Sequence, residues 1–165
     1  MRLAKIVPLP PTYIRACNTS KFGMGGIWVS IDQDSGPIIY WHTAFPASIQ
    51  NQLILEGNPQ GLLNNSQLEL AGTIAHDAML LSADPSTAQS VLAGCNNIMA
   101  ILWLHKGLLT TAGPVMPLLH LKAQLSRANY YCSTCIHVPG DTNTVADLCS
   151  CSFHLDLELL LLFCT

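Results

Sequence analysis

Near the C-terminal end of this chain, Cys132-x-x-Cys135, His137, Cys149-x-Cys151 and His154 fall close together. Thiolates and imidazoles at such spacing are the ligand types of a tetrahedral zinc site, and a small zinc-binding protein is one reading. Against it, Cys132 and Cys135 fall in a run with strand character, where residues three apart point to opposite faces. The glycines that would turn a zinc knuckle are missing there, and cysteines in apolar surroundings also serve as small core residues. The carboxylates suggest other chemistry. Glu69 follows Ser66 by three residues, which is capping-box spacing, and Asp147 lies in a short segment that reads as helix. Taken singly, they are a cap partner and a solvated helix charge, while Asn18 and Asn96 are strand-end turn residues. His42, His76, His105 and His120 are scattered, with no nucleophile elbow that would build a Ser-His-Asp set. Gly23, Gly25 and Gly26 lack the strand-to-helix context and the lysine of a phosphate loop and read as hairpin glycines. Trp28, Trp41 and Trp103 fit sheet and helix packing better than base stacking.

The bulk properties limit what these residues can belong to. At 165 residues the chain is long enough for one domain with a real core, and half of it is hydrophobic while a tenth is charged. That composition excludes the disordered class. Net charge is −3 with seven Lys and Arg and no basic run. A protein that grips nucleic acid by itself is usually basic, because phosphate neutralisation supplies most of the affinity. The balance favours a protein partner, or nucleic acid held weakly or within a larger assembly. The start, MRLAKIVPLPPTY, is too proline-rich and too short in its apolar part for a secretory signal. Residues 157–164 are broken by Glu158 and too few to span a bilayer, so no membrane is expected. They read as a buried final helix or as frayed sequence. Seven cysteines, an odd number without a signal, are expected as free thiols in an intracellular protein, cytoplasmic or nuclear.

Periodicity supplies the elements that would position the candidates. Strands are expected over 12–17, 27–31 and 37–43, with a tight glycine turn at 21–26 and turn chemistry at 33–36, giving an antiparallel meander. Residues 47–56 are weakly helical. A strong helix over 66–82 carries Leu68, Ala71, Ile74, Ala75 and Ala78 at helical spacing, capped by Ser66 with Glu69, and Asp84-Pro85-Ser86 breaks it. A strand at 89–94, a helix at 97–106 stopped by Gly107, and a helix from Gly113-Pro114 to 129 follow. Pro117 falls in that helix's first turn, where proline is tolerated. A strand at 130–138 and a last helix at 142–149, capped by Asp141 or Thr142, complete the order β-β-β-α-β-α-α-β-α.

Four stretches in this order carry a resemblance. They are Ala16-Cys-Asn18-Thr-Ser-Lys-Phe-Gly-Met-Gly-Gly-Ile-Trp28, Asn65-Ser-Gln-Leu-Glu69-Leu-Ala-Gly72, Ala93-Gly-Cys-Asn96-Asn97 with Trp103, and His137-Val-Pro-Gly-Asp-Thr-Asn-Thr-Val-Ala-Asp147-Leu-Cys-Ser150. The set resembles the ribonuclease H domains of retroelement polyproteins, over about residues 12–150, with 151–165 as a C-terminal tail that could be helical. The resemblance implies an α/β ribonuclease H-like fold: a five-stranded mixed sheet, three strands antiparallel and two parallel, with helices on both faces. It implies four carboxylates around two divalent cations, Mg²⁺ suiting such hard oxygen ligands. It implies hydrolysis of the RNA strand of an RNA–DNA hybrid, one cation activating a water and the other stabilising the leaving oxygen. Glu69 and Asp147 match two metal-binding positions of the family, and Asn18 and Asn96 stand where it has aspartate. Asp141, in the loop before the last helix, is a candidate to assist product release or proton transfer.

The departures bear on activity. An amide oxygen is a far poorer ligand for a hard dication than a carboxylate, so weak or absent Mg²⁺ binding and little or no cleavage are expected. Thr19 and Cys151 stand where the family often has alanine and arginine. Each of these changes can arise from a single transition, so a decaying retroelement copy is one expectation. A non-catalytic module that keeps the fold and binds a protein is the alternative.

Overall fold

In β1 (Tyr13–Thr19), Tyr13, Arg15 and Cys17 are buried on one face while Ile14 and Ala16 stand on the other, the two-residue period of a strand. The computed structural model describes residues 10–31, 38–83, 90–107, 113–130 and 132–153. After β1 come β2 (Gly23–Ser30), β3 (Ile38–Ala44), α1 (Ala47–Gln50), α2 (Asn65–Ala83), β4 (Ser90–Cys95), α3 (Ile98–Lys106), α4 (Val115–Asn129), β5 (Cys132–His137), a 3₁₀ turn (Gly140–Thr142) and α5 (Thr144–Cys151). The sheet order is β3-β2-β1-β4-β5. β1 pairs antiparallel with β2, and β2 with β3, while β4 runs parallel to β1 and β5 parallel to β4. The expected class, three antiparallel strands plus two parallel ones with helices on both faces, is the one observed.

One face of the sheet carries the core. Tyr13, Trp28, Trp41 and Val91 close over Leu80 of α2, and Ala93, Cys95 and Cys135 pack with Leu70, Ile74, Trp103 and Val115 from α2, α3 and α4. The tryptophans are packing residues, as the sequence implied. A smaller cluster of Phe45, Leu53 and Leu68 seals the base of α2. On the other face, α5 lies across β2, β1 and β3.

Several local expectations are corrected. Gly23, Gly25 and Gly26 do not form a turn; they lie within β2, and the chain turns at Ser20–Phe22, where Ser20 Oγ accepts from the Phe22 and Gly23 amides. The glycines are needed for close approach. A Cβ at Gly25 would stand 2.7 Å from Cys149 Cβ on α5, and one at Gly26 would stand 2.5 Å from the His76 ring on α2. The 47–56 helix stops at Gln50, because the Asn58 side chain donates to the Asn51 and Leu53 carbonyls and offers the backbone an alternative. The cap of α2 is Asn64, not Ser66. Asn64 Oδ1 accepts from the Gln67 amide at 3.0 Å and Gln67 Oε1 accepts from the Asn64 amide at 2.9 Å, a reciprocal box two residues early. Tyr130 is a left-handed C-cap of α4 (φ 51°) rather than strand. α5 begins at Thr144 after Asn143, and neither Asp141 nor Thr142 caps it. The helices at α3 and α4 stand as expected, with the Asn97 side chain accepting from the Ala100 amide and Gly107 left-handed at φ 53°. The turns expected at 33–36 and 84–86 lie outside the described residues. No helix among the described residues is long and apolar enough to cross a membrane.

Candidate active site at the strand ends

Parallel pairing decides which side chains meet. The β1–β4 register matches Tyr13 with Val91 and Ala16 with Gly94, and carried past the last pair it sets Asn18 beside Asn96. Asn96 Nδ2 donates to Asn18 Oδ1 at 3.0 Å. α5 reaches the same point from the opposite face. The Asn143 side chain donates to the Cys17 carbonyl at 3.1 Å and holds the start of α5 on β1, while Ser20 Oγ donates to the Ser150 carbonyl at 2.6 Å and holds its end. Asp147, one turn into the helix, therefore faces Asn18. Asn18 Nδ2 donates to Asp147 Oδ1 at 2.8 Å and to Ser150 Oγ at 3.2 Å, and Ser150 Oγ donates in turn to the Asp147 carbonyl at 3.0 Å. A chain of amide hydrogen bonds thus runs from β4 through β1 to α5.

Glu69 joins from the first turns of α2. It is 1 % exposed, and Gly72 on the next turn lets the helix approach β1, since a Cβ there would meet Thr19 Cγ2 at 2.5 Å. Its Oε2 has no hydrogen-bond partner among the described residues. Burial pushes the Glu69 carboxyl up to about 7, the Thr19 side chain and backbone pull it back down, and the negative charge of Asp147 adds to the rise. Glu69 is therefore a carboxyl poised between its two forms near neutral pH, and its reading as the capping partner of Ser66 is set aside. All four residues singled out by resemblance, Asn18, Glu69, Asn96 and Asp147, converge at the carboxyl ends of β1 and β4. Ligands in open α/β sheets gather at such strand ends. Asp147 is exposed at the rim, and Asp141 stands exposed in the 3₁₀ turn whose Gly140 approaches Asn96.

The donor set does not fit a pair of hard dications. Asn18 turns an N–H toward Asp147, its oxygen is engaged by another N–H from Asn96, and the deepest carboxyl tends to hold its proton. Among the described residues no group of three or more His, Cys, Asp or Glu is arranged to hold a metal ion. For the zinc reading, Cys135 is buried in the core while Cys132 is exposed, and Cys149 packs under α5 on the opposite face of the sheet. His154 lies outside the described residues. Burial pushes the Cys17 thiol, beside the site, up to about 12, so it is a packing group rather than a nucleophile.

Residues not singled out from sequence also shape this region. Ser20 and Ser150 hold the site, and their short side chains carry no signal in a single chain, while Thr19, noted above only as a departure from the family, crowds it. Behind them Arg15 and Lys122 both pair with Asp77 at the centre of the core face, and Lys122 Nζ donates to Ser133 Oγ at 2.8 Å. His76 stacks on Trp28 with ring centroids 4.0 Å apart and accepts the Trp41 indole N–H at Nδ1. Burial and the nearby Arg15 charge hold His76 well below its usual range, hence neutral. The signal for this cluster was the spacing of Glu69, Thr73, His76 and Asp77, a polar row on the buried face of α2.

No protein-family model matches the chain, and no curated protein matches it. Solved structures do. Ribonuclease H1 from the halophilic archaeon Halobacterium salinarum NRC-1 is similar at a TM-score of 0.58 and 17% identity, over 83% of this chain and 92% of that one. The LC11 ribonuclease H1 in complex with an RNA/DNA hybrid is similar at 0.53 and 8% identity, over 83% and 92%. The protease-reverse transcriptase of prototype foamy virus (CSH mutant) is similar at 0.54 and 14% identity, over 88% of this chain and 21% of that much longer one. At these identities the likeness shows the fold, and the fold is ribonuclease H-like.

Proposed function

We propose that this chain is a retroelement-derived ribonuclease H-like domain whose inherited reaction, hydrolysis of RNA in RNA–DNA hybrids, is impaired. The observation that carries the reading is the convergence of Asn18, Glu69, Asn96 and Asp147 at the ends of β1 and β4, three of them hydrogen-bonded in one chain. In the inherited reaction, Glu69 and Asp147 would help hold divalent metal, whose chemistry when bound would be activation of water and stabilisation of the leaving oxygen. The residues present here supply two carboxylates for it, one of them shifted toward its neutral form. The hybrid bound by LC11 ribonuclease H1 supports an RNA–DNA hybrid as the inherited partner, and the net charge of −3 here supports weak binding of it. Asp141 would act at product release or proton transfer. The domain would span residues 12–150, in an intracellular setting.

The test is cleavage of a labelled RNA–DNA hybrid in Mg²⁺ and in Mn²⁺, with the native chain beside the double variant Asn18→Asp, Asn96→Asp. The native chain is expected to cut at background, and the double variant to cut in a metal-dependent way. Brisk turnover by the native chain overturns the impairment. Silence from both proteins, each shown to be folded, overturns the inherited activity.

A further inference from the structure

Among the described residues, α5 covers its face of the sheet at one end only, with the Val138 side chain lying against Gly94 further along. α5 lies over Gly23 and Gly25, with Phe153 5.2 Å from the His42 ring. At the other end the strand register lines up two cross-strand rows on the same face. One runs Ile38, Val29, Ile14, Leu92 across β3, β2, β1 and β4; the next runs Tyr40, Ile27, Ala16, Gly94, Ile136 across all five strands. Ile38 is 54% exposed, Ile14 50%, Ile136 43% and Val29 37%. With strands about 4.8 Å apart, a row crossing the sheet measures roughly 19 Å. A contiguous apolar area of this kind, unlike a lone exposed leucine, marks a surface that something covers.

The sequence contains a segment with the opposite need. Residues 154–165, HLDLELLLLFCT, hold six leucines and a phenylalanine and lie outside the described structure. They follow Phe153, which already stands on this face above β3. From the level of Gly23 to that of Val29 is six residues of strand, about 20 Å. Twelve residues reach about 18 Å even at the rise of a helix, and further if extended. We infer that residues 154–165 of the same chain dock on the apolar rows Ile38–Val29–Ile14–Leu92 and Tyr40–Ile27–Ala16–Ile136, completing the layer that α5 begins. The inference is independent of the site chemistry.

The test uses the full-length protein. Val29→Thr with Ile38→Thr keeps β-branching and strand propensity while replacing apolar groups by two hydroxyls. On a solvent-facing surface this pair leaves Tm unchanged; beneath a docked segment it lowers Tm by about 4 °C or more. Leu159→Ser with Leu162→Ser in the tail should also lower Tm, and the four changes together should lose clearly less than the two shifts added, because one contact is removed twice. Amide exchange provides a second readout: the tail amides should be protected in the native chain and lose that protection in the Val29→Thr, Ile38→Thr variant. An unchanged Tm for the sheet pair, strictly additive shifts, or an unprotected tail would each overturn the inference. So would coupling that rises with protein concentration together with a dimer on sedimentation, which would assign the face to a second copy.

Discussion

Two polar clusters sit three residues apart on β1, and burial has treated them differently. Arg15 points into the core and meets Asp77, which also holds Lys122, so each group there has an oppositely charged neighbour. Asn18, at the strand end, meets Asn96 and Asp147 through neutral amides, and no ion pair among the described residues involves Glu69 beside them. Desolvating a charge costs several kcal/mol unless a counter-charge offsets it. The core cluster satisfies that condition with its own side chains. The strand-end cluster does not, and its deepest member responds by moving toward the protonated form. A buried carboxyl thus meets a counter-charge where the fold itself supplies the partner, and moves toward its neutral form where burial is not offset in this way.

The largest effect should come from breaking the core cluster. Asp77→Ala removes the buried carboxylate that Arg15 and Lys122 share and is expected to cost about 3–5 kcal/mol in urea unfolding, whereas Asn18→Ala costs far less. Equal losses would erase the distinction between the clusters. The next largest concerns Glu69. Its folded value of about 7 lies above its unfolded 4.5, so the native state binds the extra proton between them. Stability is then full below about pH 4.5, declines as pH rises toward about 7, and is lower by up to roughly 3 kcal/mol above that. Glu69→Gln should flatten this slope, and a slope unchanged in the variant would show that another group carries it. Smaller still is Asn18→Asp. It loses the N–H given to Asp147 and sets two carboxylates side by side, so chelator-treated protein should be less stable by about 1–3 kcal/mol. Added Mg²⁺ should recover that loss in the variant and leave the native chain's Tm unmoved. Recovery in both proteins would mean the amides ligate metal after all.

The order of elements was readable because hydrophobic period, turn residues and helix stops act over a few positions, as at Gly107 and Pro114. Errors arose where two local signals competed. Ser66 with Glu69 and Asn64 with Gln67 both satisfy capping-box spacing, and burial of Glu69 against β1 decided between them. Glycines at 23, 25 and 26 looked like a turn because nothing local announces that α5 and α2 press on that strand.

The sequence alone determined that positions 18 and 96 carry neutral amides, a matter of residue identity, and it determined the succession of strands and helices, since those follow from short-range periodicity. Only the tertiary structure decided that Asn18 bonds Asn96, 78 residues away, and Asp147, 129 away; that Glu69 is buried beside them; and that Arg15, Asp77 and Lys122 share one buried ion cluster. The physical reason is range. Propensity and capping are set by neighbours along the chain, whereas ion pairing, desolvation and the register of parallel strands depend on segments that come together only when the core closes.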